Sequence, residues 1–210
     1  VLFGMLSRSV IQTKPESFEV HHISLIMNSY AKCQVRKPQM MHVLSDYLTR
    51  RVSELSPQNV SNVVHAFARL DCYNHELFHA LVHRVSTEDL AAYKLFELAV
   101  LSHNFAKLRA GGQGLYSAMF GELAARPAEV WEPKAVAQVL DAMRRRQAFC
   151  HEKLLALLFR RFFNCLEDYA VHPLTQASWC LVELDTLDLA AELPQELDEG
   201  MHQGDLAARK

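Results

Sequence analysis

Glycine and proline are scarce, with seven of each in 210 residues. An all-β chain needs many more turn residues than that, so the scarcity points to helices. Cysteine is also sparse: five residues, an odd number, with no CxxC pair. That spacing speaks against a disulfide scaffold or a zinc ribbon and suits a reduced compartment. No apolar run approaches the roughly 18 residues of a membrane-spanning helix, so no membrane insertion is expected. Neither charge dominates. Lys and Arg number 22 against 24 Asp and Glu, for a net charge of -2, which excludes a uniformly basic nucleic-acid binder. Half the residues are apolar, so wholesale disorder is excluded too.

What the chain does have is internal order. Val60 to Leu70 reads VSNVVHAFARL, and 38 residues on, Leu98 to Leu108 reads LAVLSHNFAKL. Val136 to Arg146 and Leu174 to Leu184 continue the series, and Ile23 to Cys33 precedes it by 37 residues. Five copies align without a gap. One column is Ile23, Val60, Leu98, Val136 and Leu174; another is Tyr30, Phe67, Phe105, Met143 and Leu181. Between them lies a third column, Ile26, Val63, Leu101, Val139 and Ala177, and offsets of three, four and seven place all three on one face of a helix. A second helical pattern follows each copy, in the columns Met40, Leu77, Leu115, Lys153 and Met41, Phe78, Tyr116, Leu154. Leu2, Phe3 and Leu6 repeat it at the start, and the first residue is not Met. The expectation is that the sequence is a piece of a longer protein, or one trimmed at its front.

Local signals agree. Ser56 and Pro57 read as the cap and first turn of a helix, and Glu132-Pro133 stands at the equivalent place. Asn74 can cap the following helix, with Glu76 in its first turn. Gly111, Gly112 and Gly114 read as the break between two helices. A helix pair every 37 to 38 residues predicts an all-α fold, an α-solenoid of about five helix-turn-helix repeats. The expected organisation is one domain over residues 1–199. It holds a partial repeat at 1–14, repeats starting near 19, 56, 94, 132 and 170, and a polar tail at 200–210. A non-repetitive helical bundle is the plainer alternative.

His75-Glu76-Leu77-Phe78-His79 matches HExxH, with His83 one turn further on. On a helix this spacing can present two zinc ligands and a base. Yet Leu77 and Phe78 are core columns of the repeat, and His151-Glu152 sits at the same register without a partner His. A straight row at i, i+4 and i+8 also cannot close a tetrahedral site. No metal and no cofactor are expected; there is no GxGxxG and no phosphate loop. The cysteines lie among apolar residues and read as buried thiols.

One column repeats charge. Lys32, Arg69, Lys107 and Arg145 share a position in four successive copies, and Glu183 ends the series. Stacking would align them into a ladder suited to phosphates; equally, each cation complements the C-terminus of its own helix. Arg144 and Arg146 flank Arg145, while Arg50, Arg51, Arg160 and Arg161 form further pairs that can be solvated faces. A polar column of Asn28, His65, His103, Asp141 and Trp179 can face bases or lie at the boundary between stacked copies. The charge is unevenly placed. Residues 1–168 hold 20 basic against 16 acidic side chains, net +4, and residues 169–210 hold 2 against 8, net -6.

The run from His65 to Val85, with Ala66-Phe67-Ala68-Arg69-Leu70 followed by Leu77-Phe78, resembles the 37- to 38-residue helical repeats of organellar RNA-binding proteins. These are the octotricopeptide repeats and the similar repeats that precede a RAP domain. Asn104 to Leu108 echoes the first run, and Trp179 stands where many members carry Trp. The likeness spans Leu2 to about Leu193, without a recognisable RAP domain. It implies a right-handed stack in a protein of the mitochondrial matrix or a plastid that contacts RNA. In apicomplexan parasites and some algae such proteins are mitochondrial ribosome components. The expectation is therefore a non-catalytic repeat protein that contacts rRNA beside neighbouring ribosomal proteins. The candidate RNA contacts are Lys32, Arg69, Lys107, Arg145, Arg144, His65 and His103. The rival reading is a protein-protein adaptor of a mitochondrial complex.

Overall fold

The computed structural model describes residues 2–13 and 17–184, except the side chain of Ala148. The end of the expected domain, 185–199, and the polar tail at 200–210 lie outside the described residues. Ten α-helices and no strand occur among the described residues: α1 Leu2–Gln12, α2 Val20–Lys32, α3 Pro38–Arg50, α4 Pro57–Leu70, α5 His75–Thr87, α6 Leu95–Lys107, α7 Gln113–Ala124, α8 Pro133–Arg145, α9 Glu152–Asn164 and α10 Val171–Glu183. None of these helices is long and apolar enough to cross a membrane.

The helices form two layers. The most extensive contacts join α2 to α4, α4 to α6, α6 to α8 and α8 to α10; α1, α3, α5, α7 and α9 adjoin one another in the second layer. This arrangement is compatible with a solenoid. Small side chains explain the close approach in the even layer. Ser24, Ser61, Ala99 and Ala137 are buried at one position, and Ala66, Asn104, Ala142 and Cys180 at another. The bulky apolar residues fill the space between layers, where Phe78 meets Phe67 and Phe105 edge-on at 5.3 and 6.2 Å.

The helix starts follow the local chemistry. Ser56 Oγ accepts from the Asn59 N–H at 3.2 Å, and the side-chain Oδ1 of Asn59 accepts from the Ser56 N–H at 3.3 Å, a reciprocal cap with Pro57 in the first turn. Asn59 is buried and donates onward to Ser24 Oγ at 2.9 Å, tying α4 to α2. Asn74 caps α5 by accepting from the Leu77 N–H at 2.9 Å. Gly112 is the N-cap of α7, so Gly114 lies in its first turn rather than in the break between helices.

Three turns from even to odd helices share one geometry. Gln34, Asp71 and Arg109 take left-handed φ values of 55°, 49° and 55°. In each case the next N–H returns to the helix: Val35 to Tyr30, Cys72 to Phe67 and Ala110 to Phe105, at 2.9, 3.1 and 2.9 Å. This satisfies a carbonyl that the helix end would orphan, and offsets a backbone cost of about 1 kcal/mol for a non-glycine residue. The fourth turn departs. A short 3-10 segment, Gln147–Phe149, takes its place and adds a residue. Consequently α9 is set one residue later than the 38-residue register. Lys153 is exposed, while Leu154, Leu155 and Leu158 are buried. His151 therefore stands with Asn74, not with His75, and its Nδ1 accepts from the Leu154 N–H at 3.3 Å.

Arginines fasten the odd layer. Arg84 donates to the Val52 carbonyl, Arg126 to the Tyr93 carbonyl at 3.0 Å, and Arg161 to the Trp131 carbonyl at 3.0 Å. Each reaches from the end of an odd helix to the chain beyond the preceding odd helix. Arg161 is thus a structural donor, not part of a solvated face.

Candidate nucleic-acid interface

Helices α4, α6 and α8 each carry one stripe at positions spaced four, three and four residues apart, exposed at its two ends and half-buried or buried between them. On α4 it is Gln58, Asn62, His65 and Arg69; on α6 it is Phe96, Val100, His103 and Lys107; on α8 it is Lys134, Gln138, Asp141 and Arg145. That spacing marks one side of a helix.

The last position of the stripe holds the cation series. Lys32, Arg69, Lys107 and Arg145 are all exposed in the final turns of their helices, as is Glu183 on α10. Among the described residues, Lys32, Arg69 and Lys107 have no carboxylate within ion-pair distance. Other cations are committed: Arg51 to Glu54, Arg84 to Glu88 at 2.9 Å, and Arg126 to Glu122 at 2.7 Å. Arg146 donates to the Gly111 carbonyl at 2.6 Å and lies over Tyr116 and Phe149.

The neighbouring polar column bridges adjacent even helices. Asn28 donates to Asn62 at 3.4 Å, and the His65 ring nitrogen lies 3.5 Å from the Asn104 amide. His103 Nδ1 lies 3.0 Å from Asp141 Oδ2. Asn28, His65 and His103 are half-buried between adjacent even helices, and His103 retains 20% of its side-chain exposure.

Asp141 is the centre of a buried charge cluster. Its side chain is 2% exposed, and it accepts from Arg144 at 2.7 Å and Arg145 at 2.6 Å. Burial pushes its pKa up, but His103, Arg145 and Arg144 outweigh that and hold the carboxyl well below the usual range. Arg144 is largely enclosed and lies 4.1 Å over the Trp179 ring, which is 52% exposed. So Arg144 is bound into the molecule, and Arg145 holds Asp141 while keeping 38% of its side chain in solvent.

His65 reports the local field. Burial lowers its pKa first, and Arg69, Lys134, His103 and Lys107 add to the effect. The structure therefore brings His65, His103, Arg69 and Lys107 together. Lys134 joins them, with its ammonium 5.5 Å from the centre of the exposed Phe96 ring. Sequence reasoning passed over Lys134, Phe96, Arg36 and Arg109. The first two occupy the opening position of the stripe, where Gln58, Phe96 and Lys134 are three unlike residue types and leave no repeated signal in the alignment of copies.

The HExxH residues lie on an exposed side of α5. His75, Glu76, His79 and His83 face solvent while Leu77 and Phe78 are buried. His75 meets the Tyr73 ring edge-on at 4.9 Å. No cluster of three or more metal-ligating side chains occurs among the described residues. The cysteines differ from expectation. Cys180 is buried, but Cys33 and Cys150 are exposed and Cys72 and Cys165 half-buried, because four of the five sit at helix ends or turns. Burial pushes the Cys180 thiol up to about 11.

Compared with protein-family models and with curated proteins, the chain matches none.

Proposed function

We propose that the chain is an α-solenoid of about five 37- to 38-residue helix pairs whose even layer contacts RNA. In this reading it is a non-catalytic scaffold of an organellar ribonucleoprotein, most specifically a mitochondrial ribosome subunit in the matrix that touches rRNA. The observation that carries the proposal is the set of exposed cations at one position of successive even helices, Lys32, Arg69, Lys107 and Arg145. Three of them lack an internal carboxylate partner among the described residues, so they are available to phosphates. His65 and His103 beside them add hydrogen-bonding edges.

The test is a salt titration of binding to a short single-stranded RNA. Affinity should fall steeply with salt, and Lys32→Glu with Arg69→Glu should weaken binding at least tenfold. An affinity indifferent to salt would remove phosphate contact from the account. Absence of catalysis is part of the same proposal. One equivalent of zinc in the purified protein, lost with His79→Ala, would overturn that part.

The second reading, a protein-protein adaptor, is favoured by the exposed apolar residues Val171 and Val182 on α10 and Leu2 and Met5 on α1. Crosslinking in whole organelles separates the two: recovery of RNA supports the first, recovery of protein alone the second.

A further inference from the structure

The three left-handed turns border a cavity of about 490 Å³ that is half open to solvent. Its lining includes Arg36 from the first turn, Asp71 and Tyr73 from the second, Lys107 and Arg109 from the third, and His42 from α3. That volume is in the range of small-molecule and nucleotide sites, roughly 300–1,000 Å³. Arg36, Lys107 and Arg109 are exposed, and none has a carboxylate within ion-pair distance among the described residues. Asp71 is the one carboxylate of the lining, while His42 is occupied by Asp46 at 3.4 Å. The walls therefore carry a surplus of positive charge.

The cavity also has a fixed aromatic ring. Tyr73 stacks on Phe78 at 4.6 Å with 29° between the ring planes, and stays 43% exposed. Phe78 is itself wholly buried, so Tyr73 is held in place from behind. Lys107 belongs both to the cavity and to the cation series of the even layer. It is the point at which a strand following that series would meet the cavity.

We propose that this cavity is a nucleotide subsite for single-stranded RNA. Arg36, Lys107 and Arg109 hold a backbone phosphate, and Tyr73 offers its ring to the adjoining base. The proposal rests on the RNA-contacting reading above and adds a second point of contact, at the turns rather than on the even helices. The chemistry of phosphate plus base is shared by an RNA strand and a free nucleotide, and the experiment distinguishes them.

The full chain is titrated with a fluorescent 12-residue oligouridylate and, separately, with uridine monophosphate. Arg36→Gln with Arg109→Asn removes two cations; Asn suits the left-handed backbone at position 109, so the turn is kept. The double variant should bind the oligonucleotide about tenfold more weakly, and the slope of log affinity against log salt should shrink by about 1.4, for two lost contacts on a single strand. Tyr73→Leu should weaken binding about fivefold or more with the slope unchanged. Circular dichroism checks that each variant is folded. If Arg36→Gln/Arg109→Asn binds like wild type while Lys32→Glu/Arg69→Glu does not, the subsite falls and the even-layer contact stands. If neither variant changes binding, both fall. Uridine monophosphate bound as tightly as the oligonucleotide would make this a free-nucleotide site and overturn the strand assignment.

Discussion

His103 Nδ1 on α6 lies 3.0 Å from the buried carboxylate of Asp141 on α8, the acidic member of an otherwise neutral or basic column. Two arginines of α8 complete the cage. The cluster joins consecutive even helices by charge as well as by packing.

Asp141→Ala should cost about 3 kcal/mol, because it strands Arg144 in a largely enclosed site. Urea denaturation at neutral pH measures this; a loss under 1 kcal/mol would mean that the arginines simply turn to solvent. The sign of the pH effect follows from the depressed carboxyl pKa in the folded state. Its contribution is fully present above the unfolded value of about 3.9 and is lost as pH falls through the folded value. Wild type should therefore lose more stability than Asp141→Asn on acidification below about pH 4.

His65 titrates below its ordinary value because burial and four neighbouring basic groups oppose protonation. Its contribution to stability is present above the unfolded pKa of about 6.5 and is lost as pH falls through the folded value. His65→Gln should be less sensitive to acidification from about pH 6.5 downward. An RNA phosphate placed among Arg69, Lys107 and Lys134 would cancel part of that repulsion. The His65 resonance, followed by NMR, should then titrate at higher pH in the RNA complex, and an unmoved resonance would place the RNA elsewhere.

Asn59 serves two helices at once, capping α4 and donating to Ser24 on α2. Asn59→Ala should cost about 2 kcal/mol, more than the roughly 1 kcal/mol of Ser56→Ala, which removes a cap alone. Thermal melts of the two variants rank them, and equal losses would deny Asn59 its role between helices.

The cysteines should separate by reactivity. Brief treatment of the native protein with a maleimide, read by mass spectrometry, should modify exposed Cys33 and spare Cys180. Cys180 is enclosed, and its thiol is pushed up to about 11. Modification of Cys180 at the rate of Cys33 would mean that α10 separates readily from α8.

The even layer was legible from sequence because its evidence is local. Apolar columns at helical spacing and the Ser56-Pro57 start of α4 each act within one turn of their own position, as Asn74 does for α5 in the odd layer. The fourth turn was not legible, because a single added residue near Phe149 changes nothing in composition yet moves the buried set from Lys153 to Leu154. The arginine contacts to Val52, Tyr93 and Trp131 were hidden for another reason: a main-chain acceptor leaves no residue type to recognise. For the candidate interface, the column of exposed cations could be read directly. The pairing of Asp141 with Arg144 and Arg145 is legible as i, i+3 and i, i+4 spacing on one helix, whereas its burial and its contact with His103 depend on the packing of α6 against α8. Arg36 and Arg109 were missed because they meet only when three turns are laid beside one another.

Arg84, Arg126 and Arg161 grip carbonyl oxygens, which any amino acid supplies. Codon changes in the gripped segments can thus accumulate without loosening the clasp, whereas replacing one of the three arginines removes it. Identity should drift fastest where the clasp closes and slowest where it originates.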